Sequence, residues 1–430
     1  MDSSTKSILL ELLNFSTSRN QKLFVVGGTL RDFLSQKPYS DFDLTGKNAA
    51  EIGTSFSRSL NFTCVPLDKT PGRCTTRVIL DQKQHLDFTD LQGKNIEEDL
   101  SQRDFTINAM GQLLSDFLSG RKNIIDPHNG QDDLKNRKIR VLPGPIIPSD
   151  PLRMLRAFRF AATLGFEIDE DTLTKISLHK TRLRESAPER IWYELTLFFK
   201  APTTFLLLKA MHDCGLLDCL FKVSDEAFAQ YQRLDSLLKD PGKFFPEFGA
   251  QFTNQSFLGR QYLLKLSALR MNPDQSSGTG EIQELRLSND EIRFMERAQD
   301  GTRHLREMCL GGNPGQNETY EVTRKIHTEL LASIVLFITS FDNTSAEGPA
   351  LFCNHILKFY YEQFLPVMSE RPLLTGDDII HQFRLSPSPV FGKILNSVQK
   401  AQVLGNITTR EDAIALAENL IQSKNEESNG

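Results

Sequence analysis

The chain of 430 residues has no CxxC pair, no long apolar run and no excess of positive charge. Its six cysteines (Cys64, Cys74, Cys214, Cys219, Cys309 and Cys353) are scattered, which argues against a structural zinc or a disulfide frame and fits a reducing cytoplasm. The N-terminal MDSSTKSILLELLNF is too polar, and its apolar run too short, for a signal peptide or a membrane span, so no membrane partner is expected. A net charge of −5 gives no global attraction to nucleic acid, and any RNA-binding surface must be a local patch. No internal repeat is evident. The one His-Asp dipeptide, His212-Asp213, lies in LLLKAMHDCGLLDCLF, which reads as an amphipathic helix, and the other histidines form no metal-ligand spacing around it. At this length one core does not suffice, and roughly two to four domains are expected.

What the chain does have is concentrated between Leu23 and Leu44, LFVVGGTLRDFLSQKPYSDFDL. The stretch reads as an apolar strand (Leu23 to Val26), a Gly27-Gly28 turn, a helix from near Thr29, a breaker, and a second strand carrying Asp41-Phe42-Asp43-Leu44. Alternation on a strand sends Asp41 and Asp43 to one face and Phe42 and Leu44 to the other. Carboxylates about 6–7 Å apart at the Cα level suit a pair of Mg²⁺ ions about 3.5–4 Å apart. The glycines let a phosphate approach backbone N–H groups at a helix start. Alone, an exposed D-x-D is most often solvated surface. Beside the glycine turn it points to metal-assisted transfer involving a nucleoside triphosphate.

Further along, residues 61–91 read as two or three strands, including Arg73 to Leu80 and His85 to Phe88, and residues 96–110 read as mostly helical. Beyond Pro148 nearly everything reads as helix, with a loop-rich region near 272–282. The architecture is therefore α+β, a mixed head on a helical body. In RDFTINA, Arg103 offers a guanidinium for phosphate, and Asp104 and Asn108 offer groups for ribose hydroxyls; the bland alternative is a surface ion pair. In SDPLRMLRAFRF, a Ser or Asp cap with Pro151 near N1 opens a helix whose Arg153, Arg156 and Arg159 share one side. Asp150 and Arg153 could face the edge of a base. Glu189 and Arg190, in PERIWYEL, read as braces for that helix.

In this order, GGTLRDFL…SDFDLT, EEDLSQRDFTINAM, DPHNGQDDL, SDPLRMLRAFRFAATLGFEID and PERIWYEL resemble the class II tRNA nucleotidyltransferases, the family of CCA-, CC- and A-adding enzymes and bacterial poly(A) polymerases. The C-terminal stretch from Leu373 resembles their tails. The resemblance implies a polymerase-β-like catalytic head at 1–140, a helical neck with a base-reading helix at 141–220, a helical body at 221–370 and a helical tRNA-binding tail at 371–430. It implies Gly27, Gly28, Arg31 and Asp32 around the triphosphate, and Asp41 and Asp43 as catalytic ligands of Mg²⁺. Arg103, Asp104 and Asn108 would contact phosphate and ribose, with Asp150 and Arg153 as a protein template for C or A. The partners implied are tRNA, CTP and ATP. Because the net charge is negative, a local basic patch for the tRNA is expected along Arg153, Arg156, Arg159, Arg182 and Arg184. Asp87 is a possible further carboxylate.

Three features depart from the family pattern. Ser149 stands where Glu is usual, Gln102 where Arg is usual, and the connection at Gln92-Gly93-Lys94-Asn95 is shorter than the flexible loop of many CCA-adding members. The short connection hints at addition of C alone. Other readings are a poly(A) polymerase, disfavoured by the acidic balance, and a non-catalytic tRNA-binding relative, disfavoured by the intact Asp pair, Arg103 and Arg153.

Overall fold

In the computed structural model, β1 (Leu23–Val26) runs straight into α2 (Gly27–Leu34) after an N-terminal α1 (Ser3–Thr17). The chain returns as β2 (Asp41–Gly46), antiparallel to β1. The structure describes residues 3–39, 41–70, 73–82, 84–270, 285–312, 314–342, 347–383 and 389–427. Its contacts divide it into two compact units, Met1–Lys222 with Glu284–Arg286, and Val223–Gln283 with Leu287–Gly430.

In the first unit, α3 (Ala49–Leu60), β3 (Thr63–Asp68), β4 (Thr75–Ile79) and β5 (His85–Asp90) follow, then α4 (Ile96–Leu100), β6 (Gly111–Leu113), α5 (Leu114–Ser119) and β7 (Ile124–Ile125). The sheet order is β3-β4-β5-β2-β1-β6-β7, with β2 parallel to β5 and the other neighbours antiparallel. Parallel register places Phe42 beside Leu86 and Leu44 beside Phe88. These four side chains are almost fully buried in one core with Leu9 and Leu12 of α1, Ile52 and Phe56 of α3, and Phe117 of α5. Each such side chain contributes about 1.5–3 kcal/mol by leaving water. The period of two therefore commits Asp41, Asp43, His85 and Asp87 to the opposite, polar face. Close packing at the return of β2 requires Gly46, where a Cβ would lie 2.4 Å from the Lys22 carbonyl oxygen.

Residues 96–110 are not one helix. Only α4 forms, capped by the Asn95 side chain on the Glu98 amide, and a 3-10 turn at Thr106–Asn108 follows an extended Phe105. The Phe105 and Ile107 side chains are buried, and the segment follows that demand instead of continuing the helix. After α6 (Gly130–Lys135), β8 (Lys138–Ile139) pairs in parallel with β9 (Glu167–Ile168), the second strand lying in the region read as helical. The intervening helices are α7 (Ile146–Ser149) and α8 (Arg153–Leu164), so the latter begins after Pro151 and not at a Ser149 or Asp150 cap. Then come α9 (Glu170–His179), α10 (Pro188–Phe199, with Pro188 in the first turn) and α11 (Phe205–Asp213), which carries the His212-Asp213 dipeptide at its C-terminal end.

The second unit is helical among its described residues, from α12 (Asp225–Lys239), α13 (Gln255–Leu258) and α14 (Gln261–Arg270) to α15 (Asn289–Leu310), α16 (Gln316–Ile326) and α17 (Leu330–Thr339). Nearly every residue of α17 is buried. A salt bridge of 2.9 Å between Lys265 and Asp235 is enclosed between α14 and α12. The loop-rich reading near 272–282 falls outside the described residues. Further on, α18 (Glu347–Phe359), α19 (Leu365–Ser369), α20 (Gly376–Phe383), α21 (Pro389–Val403) and α22 (Arg410–Glu427) follow, the last three sharing a small core around Ile379, Ile394, Val398 and Ala413. Among the described residues no helix is long and apolar enough to cross a membrane.

Candidate active site

The polar face of β2 and β5 opens into a cleft of about 850 Å³. Gly27 sits at its floor with φ +62°, and a Cβ there would lie 3.0 Å from Asp43 Oδ2 and 3.2 Å from an Arg103 guanidinium nitrogen. Only glycine occupies that backbone without strain while leaving the gap between carboxylate and guanidinium open. The Gly28 amide donates to Asp43 Oδ2 at 3.1 Å. Thr29 ties the two elements together: its hydroxyl donates to the Asp41 carbonyl at 3.0 Å and accepts from the Asp43 amide at 2.7 Å. The D-x-D backbone is thus strapped to the first turn of α2.

Asp41 is about half exposed, with Oδ1 3.0 Å from His85 Nδ1. Asp87 lies in register with Asp43, and both its oxygens are taken by Arg77, at 2.8 and 2.7 Å. Burial pushes the Asp43 carboxyl above its ordinary value, opposed by Arg103 and by the Gly28 and Thr29 amides and reinforced by Asp87. A buried carboxylate beside a second carboxylate lowers its energy by gaining a cation. Asp41 and Asp43 are hard oxygen donors suited to a divalent cation that completes its shell with water and phosphate.

A chain of polar contacts runs deeper. Asp32 clasps Arg31 with both oxygens at 2.9 Å, Arg31 donates to Asn108 Oδ1 at 2.8 Å, and Asn108 donates to Asp104 Oδ1 at 3.0 Å. Asp104 Oδ2 accepts from Arg156 at 2.9 and 2.6 Å, and Glu194 stands between Arg156, at 3.6 Å, and Arg159. Burial raises the Asp104 pKa, yet Arg156, Asn108 and the Phe105 amide outweigh it and hold the carboxyl below its ordinary value.

At the other side of the cleft, Asp150 Oδ2 accepts from Arg190 at 3.1 Å, and its Oδ1 from the Leu152 amide at 3.3 Å. Arg153 donates to the Ile146 carbonyl at 3.1 Å, the Ser149 hydroxyl at 3.3 Å and the Gln102 carbonyl at 2.9 Å.

Of the residues singled out in the sequence, Gly27, Gly28, Arg31, Asp43, Arg103, Asp104, Asn108, Asp150, Arg153 and Arg156 all line this cleft. Asp41, Asp32, Arg159, Arg182 and Arg184 do not. The row of arginines on α8 differs from the expected basic stripe: Arg156 and Arg159 are turned onto Asp104 and Glu194. Arg182 pairs with Glu185 at 2.8 Å, and Arg184 is exposed. Sequence reasoning passed over Thr29, Asp99, Glu194 and the pairing of Arg190 with Asp150. A threonine directly after a glycine pair, and a glutamate four residues beyond an arginine on α10, were the available signs, but their partners lie far away in sequence.

Residues 23–140 match the poly A polymerase head domain, 165–228 the RNA- and SrmB-binding site of polymerase A, and 266–417 tRNA nucleotidyltransferase domain 2. A CC-adding tRNA nucleotidyltransferase of Geobacter sulfurreducens is 30% identical over 399 residues, 90% of this chain and 89% of that protein. A CC-adding tRNA nucleotidyltransferase of Synechocystis sp. is 27% identical over 413 residues, 93% of this chain and 94% of the relative. The fold is shared with a Thermotoga maritima CCA-adding enzyme solved in complex with tRNA, at a TM-score of 0.71 and 21% identity, covering 98% of this chain and 96% of that one. The chain belongs to the class II tRNA nucleotidyltransferase and bacterial poly(A) polymerase family.

Proposed function

We propose that this protein is a template-independent tRNA nucleotidyltransferase that transfers cytidylate from CTP to the tRNA 3′ end and stops after two additions. The observation that carries the transferase reading is the Asp41-Asp43 pair strapped by Thr29 beside the Gly27-Gly28 turn, with Asp43 and both glycines lining an arginine-rich cleft. Addition of C is favoured by the two CC-adding relatives, 27% and 30% identical, and by the short connection between β5 and α4.

In this reading Asp41 and Asp43 hold Mg²⁺, which when bound supplies the charge that lowers the pKa of the attacking 3′-hydroxyl and offsets charge on the phosphoryl group. Gly27 and Gly28 leave room for the triphosphate, and Arg103 presents its remaining guanidinium nitrogen to it. Arg31, clasped by Asp32, orients Asn108, and Asn108 with Asp104 borders the ribose. Asp150 accepts from the exocyclic amine of cytosine, while Arg153 donates to the ring nitrogen and carbonyl acceptors of the same edge. Arg156 and Arg159 brace Asp104 and Glu194, whereas the exposed Arg184, and Arg182 on exchanging Glu185 for phosphate, contact the tRNA backbone. Residues 1–140 form the catalytic head, 141–220 the base-reading neck, and 221–370 and 371–430 the tRNA grip. A cytoplasmic location fits the six free thiols.

The test is CMP incorporation into tRNA by Asp41→Ala/Asp43→Ala. A loss of roughly a thousandfold or more is expected, because several kcal/mol of transition-state stabilisation disappear. Retained incorporation would show that the reaction does not use this pair.

A further inference from the structure

The two carboxylates of β2 are held differently. The Gly28 amide fixes the Asp43 side chain through Oδ2 at 3.1 Å, whereas Thr29 fixes the main-chain carbonyl of Asp41 and leaves its side chain to other partners. That side chain is half exposed, and an exposed carboxylate turns freely between its rotamers unless something holds it. Parallel register sets His85 beside Asp41 and Asp87 beside Asp43, so four polar side chains form a two-by-two array on one face of the sheet. Within it, His85 Nδ1 lies 3.0 Å from Asp41 Oδ1, and Nε2 lies 3.7 Å from Asp87 Oδ2. Asp87 is itself locked: Arg77, opposite it on β4, donates to both its oxygens at 2.8 and 2.7 Å. The series Arg77, Asp87, His85, Asp41 thus crosses three neighbouring strands, β4, β5 and β2, and ends on the looser carboxylate of the pair.

We propose that His85 is a positioning residue that orients the Asp41 carboxylate to receive a divalent cation; this rests on the transferase reading above. An ionised carboxylate only accepts, so the proton between the two groups sits on His85 Nδ1 and the imidazole is the donor. Holding Oδ1 fixes the plane of the carboxylate and leaves Oδ2 with its lone pairs for the cation. The ring can do this because it is largely covered and stands against Asp87, which cannot move while Arg77 grips it. Asp41 then meets the cation already ordered, and the loss of rotamer freedom is met on folding and not on binding. Hydrogen bonds of this kind, made to a ligating carboxylate by a residue that does not itself touch the metal, typically change metal affinity by about 10–100-fold.

The test measures Mn²⁺ binding to the full-length chain in the presence of CTP and without tRNA, so that no transfer takes place, from the electron paramagnetic resonance signal of the free ion. His85→Leu fills the place of the ring without a donor, whereas His85→Asn is smaller but keeps an N–H donor where Nδ1 stood. The dissociation constant for Mn²⁺ should rise about tenfold in His85→Leu and stay close to wild type in His85→Asn. The Mg²⁺ concentration for half-maximal CMP incorporation should shift in the same order. Leucine binding as wild type does, or asparagine as weakly as leucine, would overturn the inference. Should leucine disturb the strand, as a lowered melting temperature would show, His85→Ala against His85→Asn makes the same comparison of donor with no donor. Asp41→Ala in the same titration separates the two levels. Weaker Mn²⁺ binding by Asp41→Ala but not by His85→Leu removes only the positioning role, while wild-type binding by Asp41→Ala removes Asp41 as a metal ligand and this inference with it.

Discussion

At the scale of single residues, the geometry depends on a few positions where chemistry and space coincide. Gly27 combines a left-handed backbone with a gap bounded by Asp43 and Arg103. Gly27→Ala should destabilise the fold by about 1–2 kcal/mol, the ordinary penalty for a side chain at that φ. Because the new methyl would push apart the carboxylate and the guanidinium, incorporation should fall further, roughly ten- to a hundredfold. Comparing the melting temperature with kcat separates the two effects, and a loss of stability with full activity would mean that the gap is not used. The same scale shows what a sequence discloses. Asp41 and Asp43 were legible because a period of two fixes their face and Phe42 and Leu44 fix the core. Thr29 was not, since its hydroxyl matters only after β1 and β2 pair.

Among elements, the polar chain from Asp32 through Arg31, Asn108 and Asp104 to Arg156 joins α2, the turn after Phe105, and α8. Asp104→Asn leaves the partly buried Arg156 with only the more distant carboxylate of Glu194, at 3.6 Å, and about 2–4 kcal/mol of stability should be lost at neutral pH in urea unfolding. The pH dependence has a definite sign. Asp104 is held below its ordinary pKa in the folded chain, so its contribution is complete above about pH 4 and is lost as pH falls through the lower folded value. The gap between wild type and Asp104→Asn should therefore narrow in acid; a constant gap would mean that the charge is not what matters. Element boundaries were the less legible part of the sequence. Residues 96–110 carry helix-compatible residues, but burial of Phe105 and Ile107 ends the helix after Leu100. On α8, Arg153, Arg156 and Arg159 have the spacing of a solvated stripe, and Glu194 on α10, which decides otherwise for two of them, is remote in sequence. Strands of two residues, as in β8 and β9, are too short to show a period.

For the whole molecule, an acidic chain acting on RNA must concentrate its positive charge, and the cleft does so with Arg31, Arg73, Arg103, Arg153, Arg156 and Arg190 against four aspartates. Most of those arginines are committed to carboxylates or carbonyls, which makes the cleft a rigid, mostly paired frame with a modest positive excess rather than a general polyanion trap. Such a frame suits the reading of one small nucleotide at a time. The most direct measurement is product size: one tRNA transcript ending at its discriminator base, incubated with Mg²⁺, CTP and ATP together and resolved to a single nucleotide. The account predicts two cytidylates and then a stop. Completion to CCA, a run of adenylates, or no addition at all would contradict it.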